Sequence, residues 1–381
     1  MEELREFLEE RERQQLLRRL SPSEERRPGL ATRGGRQYVD FSSNDYLGLS
    51  SHPALVAAAK DALDRYGVGA GASRLMSGNL AIHHELEEAV ASFKGAESAL
   101  VFNSGYQANT GIVPALFGRH DVILADQLCH ASQLDGALLS RATLVRFRHN
   151  DPEHLSSLLE KRRGTFRKAL VMTESVFSMD GDRAPLKLLL ETARRHQCLF
   201  MVDEAHATGV FGPQGRGCVE AEGLTGEVDL VMGTFSKALG SFGAYLAASR
   251  TVVEFLVNSA RSFIYSTALP APVIAANLAA LRLCLEGETH GERLLARSEE
   301  FRSALRAKGW LVGGDSQIVP VVVGQSSRAV ELSGRLAGQG FLSLPVRPPT
   351  VPEGSARLRF SLTAAHKDSH LKGVLEALGA A

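Results

Sequence analysis

Lysine is scarce in this chain. Nine lysines stand against 34 arginines in 381 residues. Most lie in polar helical or loop contexts, and Lys237 does not. It sits in Gly233-Thr-Phe-Ser-Lys-Ala-Leu-Gly-Ser-Phe-Gly243, directly after an apolar run with strand character. An amine held there is desolvated, which lowers its pKa and frees it for Schiff-base chemistry. Small neighbours leave room for a bulky cofactor. A surface loop lysine is the ordinary alternative, and the context argues against it. Thirty-four residues upstream lies Val202-Asp203-Glu204-Ala205-His206. Alone, an Asp and a His at that spacing suit a metal pair or a helix cap equally well. With Lys237 they supply what pyridoxal phosphate needs. Asp203 can pair with a protonated ring nitrogen, so that the ring acts as an electron sink. His206 can reach a phenolic oxygen on the same ring, and Lys237 can bond the aldehyde.

The phosphate of such a cofactor needs donors. Asn103-Ser104-Gly105-Tyr106-Gln107-Ala108-Asn109 follows an apolar run and opens a helix. Ser104 suits an N-cap, Gly105 allows close backbone approach, and free N–H groups there bind a dianion. An ordinary capped helix is the simpler reading of that segment taken alone. Thr234 and Ser236 add hydroxyls just before the lysine. His130, in Cys129-His-Ala-Ser132, is placed to stack on the ring or to serve as a core histidine.

These residues must be positioned by a sheet. Short Val/Leu-rich runs at 99–103, 121–125, 144–147, 169–173, 199–203, 230–233 and 244–248 lack period-two alternation, as strands buried on both faces do. Helical patterns such as 152–163 and 186–196 lie between them. The alternation predicts an α/β layer fold with a mainly parallel sheet. Ligands of such sheets sit at the carboxyl ends of the strands, which is where Ser104, His130, Glu174 to Ser178, Asp203 and Lys237 fall. Residues 1–20 read as one charged helix and 21–35 as a polar connector. After Pro270 the pattern changes to a long helix over 271–307, strands at 318–323 and 357–361, and a closing helix near 370–378. The expected division is therefore 1–40 as helix and connector, 41–270 as a large α/β domain, and 271–381 as a small α+β domain.

Composition bounds the partners. Forty-three basic residues balance 43 acidic ones, and the pI is about 7.2. That argues against a surface built for nucleic acid or anionic membrane. Four cysteines at 129, 198, 218 and 284 form no CxxC and no zinc spacing, so no metal site is expected. The first thirty residues are charged throughout, unlike a signal peptide. The least polar long stretch, 271–285, carries Asn277 and Arg282 and is shorter than the roughly 20 residues of a membrane span. A cytoplasmic protein is expected. Gly67-Val-Gly-Ala-Gly-Ala72 follows a helical stretch rather than a strand, and is unlike a dinucleotide fingerprint. His83-His84-Glu-Leu-Glu87 lacks the second histidine of a zincin, and Gly314-Asp-Ser316 has no paired histidine.

In this order, the segments resemble the α-oxoamine synthases, fold-type I pyridoxal phosphate enzymes of the aspartate aminotransferase-like fold. The resemblance runs from about residue 38 to 370. It is carried by Phe41-Ser-Ser-Asn-Asp-Tyr-Leu-Gly-Leu49, Gly69-Ala-Gly-Ala-Ser-Arg-Leu-Met-Ser-Gly-Asn79 and His84-Glu-Leu-Glu87. It continues through Glu174-Ser-Val-Phe-Ser-Met-Asp-Gly-Asp182, Asp203 to His206, Gly233 to Lys237 and Arg357-Leu-Arg-Phe-Ser-Leu-Thr363. Ser77-Gly78-Asn79 and Phe177 to Gly181 resemble most the alanine-using branch of the family. The resemblance implies a decarboxylative condensation of L-alanine with pimeloyl-CoA, or a pimeloyl-acyl carrier protein, on the way to biotin. It implies a large domain with a seven-stranded, mainly parallel sheet and a homodimer. It makes Lys237 the residue bonded to the cofactor and the proton-transfer base, with Asp203 on the ring nitrogen, His206 on the phenolic oxygen and His130 stacked above. It places Ser104, Gly105, Tyr106 and Thr234 near the phosphate and Ser178 on the cofactor. Ser266 and Thr267, in Tyr265-Ser-Thr-Ala-Leu269, reach the neighbouring subunit's phosphate. Arg359 holds the amino acid carboxylate, and Arg18, Asn44, His130 and Thr350 line the substrate side. Phe235-Ser236-Lys237 departs from relatives that carry Leu-Gly-Lys or Leu-Ser-Lys. The alternatives are sister enzymes using glycine or serine, an aminotransferase of the same fold, and a silent scaffold subunit.

Overall fold

The computed structural model describes residues 1–287 and 290–381. Seven apolar runs pair into one sheet: β1 (Ser98–Phe102), β2 (Val122–Asp126), β3 (Thr143–Phe147), β4 (Ala169–Glu174), β5 (Leu199–Asp203), β6 (Leu230–Thr234) and β7 (Ala244–Ala248). Their order is β1-β7-β6-β5-β4-β2-β3. Neighbours among β2 to β6 run parallel, while β7 is antiparallel to both β1 and β6. Hence β1 points the same way as β6, and the carboxyl ends of β1, β2, β4, β5 and β6 share one edge. Every residue of β2, β4, β6 and β7 is buried, which explains the missing alternation. Leu100, Phe102, Ile123, Met172, Met201, Met232 and Leu246 join Ile112 of the helix Gly105–Leu116 in a continuous core.

The chain divides into two compact units. The larger holds Leu49–Phe177 and Arg183–Gly291, with the seven-stranded sheet. The smaller holds Met1–Gly48, Ser178–Asp182 and Glu292–Ala381. This division differs from boundaries near 40 and 270, for a packing reason. The helix Ala271–Leu285 buries Ile274, Leu281 and Cys284 and packs on the helix Pro53–Tyr66 of the larger unit. The smaller unit also takes a short segment from the middle of the sequence. Gly181 carbonyl oxygen accepts from Ser316 Oγ at 2.6 Å, and Arg357 pairs with Asp180 at 2.6 Å.

Three expectations need correction. The first helix spans Glu2–Arg13, not 1–20, and buries no side chain. With no apolar face packed, nothing extends it past its basic last turn. The connector over 21–35 is instead the start of a meander. Glu25–Arg27, Leu30–Arg33 and Arg36–Asp40 pair antiparallel, and Phe341–Leu342 adds in parallel. The long helix over 271–307 is two helices, Ala271–Leu285 and Gly291–Ala307, with Gly287 at φ +76° between them. Residues 288 and 289 of that expected helix lie outside the described residues. The strands expected at 318–323 and 357–361 form as Ile318–Gly324 and Ala356–Ser361, paired antiparallel, and the closing helix spans Asp368–Leu378.

A buried ion pair anchors the turn after β5. Lys94 ends the helix Ala81–Lys94, and its Nζ lies 2.7 Å from Glu204 Oε2 and 3.1 Å from Thr208 Oγ1. Glu204 Oε1 accepts from the Val219 N–H at 2.8 Å. Burial opposes the charge on Lys94, but Glu204 outweighs it and raises the lysine's pKa. Gly217 makes room for this carboxylate: a Cβ there would lie 2.3 Å from Glu204 Oε2, and its φ is +112°. Losing one partner strands a buried charge, so Lys94→Met should cost about 3–5 kcal/mol. Urea unfolding should show that loss, with part of it recovered in the Lys94→Met/Glu204→Leu double variant. A Lys94→Met chain as stable as the parent would contradict this reading.

In the smaller unit, His366 is 2% exposed, with its ring 4.3 Å from that of Phe41. Its Nδ1 accepts from the Thr363 N–H at 3.2 Å, and Nε2 lies 3.2 Å from Asp40 carbonyl oxygen. Burial lowers its pKa from the usual 6.5 to about 3. Between those values the unfolded chain binds the proton that the folded chain refuses. The histidine's contribution is therefore complete above pH 6.5 and is lost as pH falls towards 3, at roughly 1 kcal/mol per pH unit. Unfolding measured at pH 7 and pH 5 should show His366→Gln losing less stability than the parent. Equal losses would refute the assignment.

Candidate active site

The turn after β5 starts from one buried carboxylate. Asp203 is 5% exposed. Its Oδ1 accepts from the Ala205 N–H at 2.9 Å, and its Oδ2 from Asn109 Nδ2 at 3.1 Å. Parallel register sets Glu174 of β4 beside it on the neighbouring strand. Burial, and then the charge of Asp203, push the Glu174 carboxyl well above the usual range. His206 follows on the same turn. Its Nε2 lies 2.8 Å from Lys237 Nζ, so the expected lysine and histidine meet. Lys237 is half-buried, just past the end of β6. Thr234, the last residue of β6, donates to Gly243 carbonyl oxygen at 2.7 Å, and its Oγ1 is 2.7 Å from Ser236 Oγ.

On the same sheet edge, Ser104 caps the helix Gly105–Leu116, accepting from the Gln107 N–H at 3.2 Å. The first N–H groups of any helix have no partner within it, and they carry its positive end. Tyr106 is exposed, with its hydroxyl on Asp135. Ser266 Oγ accepts from Gln107 Nε2 at 2.5 Å, and Thr267 carbonyl oxygen accepts from Asn103 Nδ2 at 2.9 Å. Both are thus tied to the Asn103–Gln107 turn of their own chain. His130 caps the helix Ala131–Ser140. It keeps an exposed edge, yet the protein around its ring strips it of solvent and lowers its pKa. Asp203 opposes that shift and Lys237 adds to it.

Apart from His130, which belongs to the larger unit, the expected substrate-side residues lie in the smaller unit in two groups. Arg359 is 8% exposed. Its Nε donates to Ser178 carbonyl oxygen at 2.5 Å, and its Nη1 to Ser361 Oγ at 2.6 Å. Both Nη atoms reach Asn44 Oδ1 at 3.2 Å, and Nη2 lies 3.3 Å from Tyr46 hydroxyl. Among the described residues, all these partners are neutral. Arg357, two residues earlier on the same strand, has its own carboxylate in Asp180. A buried guanidinium without a counter-ion is poised for an anionic ligand. The second group joins Arg18 Nη2 to Thr350 Oγ1 at 3.0 Å, both exposed. Arg347 is close by: burial, and then the charge of Arg18, lower its pKa.

Sequence reasoning assigned no role to Asn109, Glu174, Ser132, Tyr46 or Arg347. All but Arg347 lay inside the segments singled out, but only their neighbours elsewhere in the fold reveal what they touch. The donor set fits pyridoxal phosphate. It offers a primary amine on an imidazole, a buried carboxylate at a strand end, and a helix N-terminus on the same sheet edge. Two buried side-chain oxygens on residues next to Asp203, Asn109 Oδ1 and Glu174 Oε1, have no hydrogen-bond partner among the described residues.

Comparison with known proteins agrees. The family model of class I and II aminotransferases matches residues 36–378. The 8-amino-7-oxononanoate synthase of Geobacter sulfurreducens is 52% identical over 347 residues, covering 90% of this chain and 88% of that protein. Serine palmitoyltransferase from S. paucimobilis, solved with a PLP–myriocin aldimine, superposes with a TM-score of 0.89 at 35% identity, over 94% of this chain and 91% of that one. The 8-amino-7-oxononanoate synthase of Francisella tularensis superposes at 0.78 and 31% identity, over 90% of this chain and 96% of that one. No described helix is long and apolar enough to cross a membrane. With this fold, this match and this identity, the chain belongs to the class I and II aminotransferase family of pyridoxal phosphate enzymes, in the α-oxoamine synthase group that includes the 8-amino-7-oxononanoate synthases.

Proposed function

We propose that the chain condenses L-alanine with a pimeloyl thioester, giving 8-amino-7-oxononanoate, CO2 and the free thiol. The observation that carries this reading is the 52% identity, over 90% of this chain and 88% of the relative, to a protein of that name. The acyl group arrives on CoA or on a carrier protein, and the product serves biotin synthesis.

Bound pyridoxal phosphate supplies an electron sink for the pair left at alanine's α-carbon. The chain's own residues do the rest. Lys237 would hold the cofactor through its amine and would move the proton at alanine's α-carbon. Asp203 would hold the ring nitrogen, His206 the phenolic oxygen, and His130 the face of the ring. Ser104, Gly105, Tyr106 and Thr234 hold the phosphate, and Ser178 adds a cofactor contact. Ser266 and Thr267 reach the phosphate of the neighbouring subunit in a homodimer. Arg359 takes both oxygens of the alanine carboxylate, and the neutrality of its partners supports that role. Asn44 steadies Arg359 through its Oδ1. Arg18 and Thr350 face the acyl donor. The enzyme works in the cytoplasm.

Thiol release from pimeloyl-CoA, with alanine, glycine or serine at equal concentration, tests the reaction. Release is expected with alanine and should disappear in Lys237→Ala. Release with glycine or serine instead would move the chain to a sister activity. Conversion of the cofactor to its amine form by a keto acid, without thiol release, would make it an aminotransferase.

A further inference from the structure

Asn109 lies wholly buried on the helix Gly105–Leu116, and its single amide nitrogen makes two hydrogen bonds. One goes to Asp203 Oδ2 at 3.1 Å and the other to Ser132 Oγ at 3.0 Å. The amide can face only one way. An ionised carboxylate accepts and never donates, so nitrogen, not oxygen, points at Asp203. That nitrogen has two hydrogens, and both are used.

The second bond sets a direction that runs on to His130. Ser132 Oγ accepts from Asn109, which leaves its own hydrogen to give. It lies 2.8 Å from His130 Nδ1. The Ser132 backbone N–H, which can only donate, also points at Nδ1 at 3.2 Å. Two donors converge on Nδ1, so that nitrogen carries a lone pair and the proton sits on Nε2. A charged imidazolium would need a hydrogen at Nδ1, where these donors already point. The lowered pKa of His130 agrees with this.

The packing that allows the relay is specific. Gly136, on the helix that His130 caps, faces the backbone of Asn109. A Cβ there would stand 2.5 Å from Asn109 carbonyl oxygen. The two helices therefore approach closely enough for Asn109 to reach Ser132, which is itself 1% exposed.

We propose that Asn109 is a positioning residue whose amide group orients the Asp203 carboxylate and, through Ser132, holds His130 neutral with its proton on Nε2. The ring of His130 then presents a hydrogen-bond donor at Nε2 rather than a second cation beside Lys237. The inference rests on the roles proposed for Asp203 and His130. Its principal readout does not depend on turnover, so the two readings fail separately.

The test uses full-length holoenzyme labelled with 15N-histidine, with His130→Asn identifying the His130 signals among the 12 histidines. At neutral pH the parent protein should show an unprotonated Nδ1 and a protonated Nε2. In Asn109→Ala and in Ser132→Ala the two nitrogen shifts should move towards each other, while Ser132→Thr, which keeps the hydroxyl, retains the parent values. Asn109→Ala should also weaken pyridoxal phosphate binding about 10- to 100-fold, as expected for one hydrogen bond to a charged group. Visible absorbance on dilution reads that change. A protonated Nδ1 in the parent would overturn the proposal. So would parent-like nitrogen shifts in both Ala variants. If Asn109→Ala does not fold, Ser132→Ala and Ser132→Thr still decide the tautomer.

Discussion

A carboxylate buried at the end of a central strand is costly unless its charge is used. Asp203 is such a group, 5% exposed, and the strands and helices beside it hold its two oxygens in place. The parallel register of β4, β5 and β6 brings Glu174, Asp203 and the approach to Lys237 to one edge. Burial, and then the charge of Asp203, raise the pKa of the Glu174 carboxyl beside it. Asn109 and the Ala205 N–H steady that charge. The Lys94–Glu204 pair holds the next residue along, on the opposite side of the turn. In the proposed function, the protonated ring nitrogen of the cofactor would complete this set.

The smaller unit repeats the same logic with the sign reversed. Arg359 is a buried cation surrounded by Asn44, Tyr46, Ser178 and Ser361, all neutral, while Arg357 two residues away is neutralised by Asp180. Two arginines on one strand, equally buried, thus serve different ends. One is structural and satisfied. The other has only neutral partners among the described residues. Burial alone does not separate them; the charge of their partners does.

Much of this was legible in the sequence. All seven strands of the central sheet fell within about two residues of their expected positions, because strands buried on both faces are written as unbroken apolar runs. Lys237, Asp203 and His206 could be picked out because they follow those runs at the edge where such sheets bind ligands. Other features had no local signature. The meander over 25–40 is polar and partly exposed, so its strands exist through pairing rather than periodicity. The first helix stopped at Arg13 because a charged repeat without a packed face does not set its own end. The roles of Asn109, Ser132 and Glu174 depend on side chains brought from other strands and helices, which no spacing rule along the chain can report.

The central claim is that Lys237 is the amine that carries the cofactor. Borohydride reduction of the holoenzyme, followed by digestion and peptide mass mapping, tests it most directly. The account predicts one pyridoxyl phosphate group per chain, on Lys237, with the other eight lysines unmodified. A pyridoxyl group on a different lysine, or none on a chain saturated with pyridoxal phosphate, would contradict it.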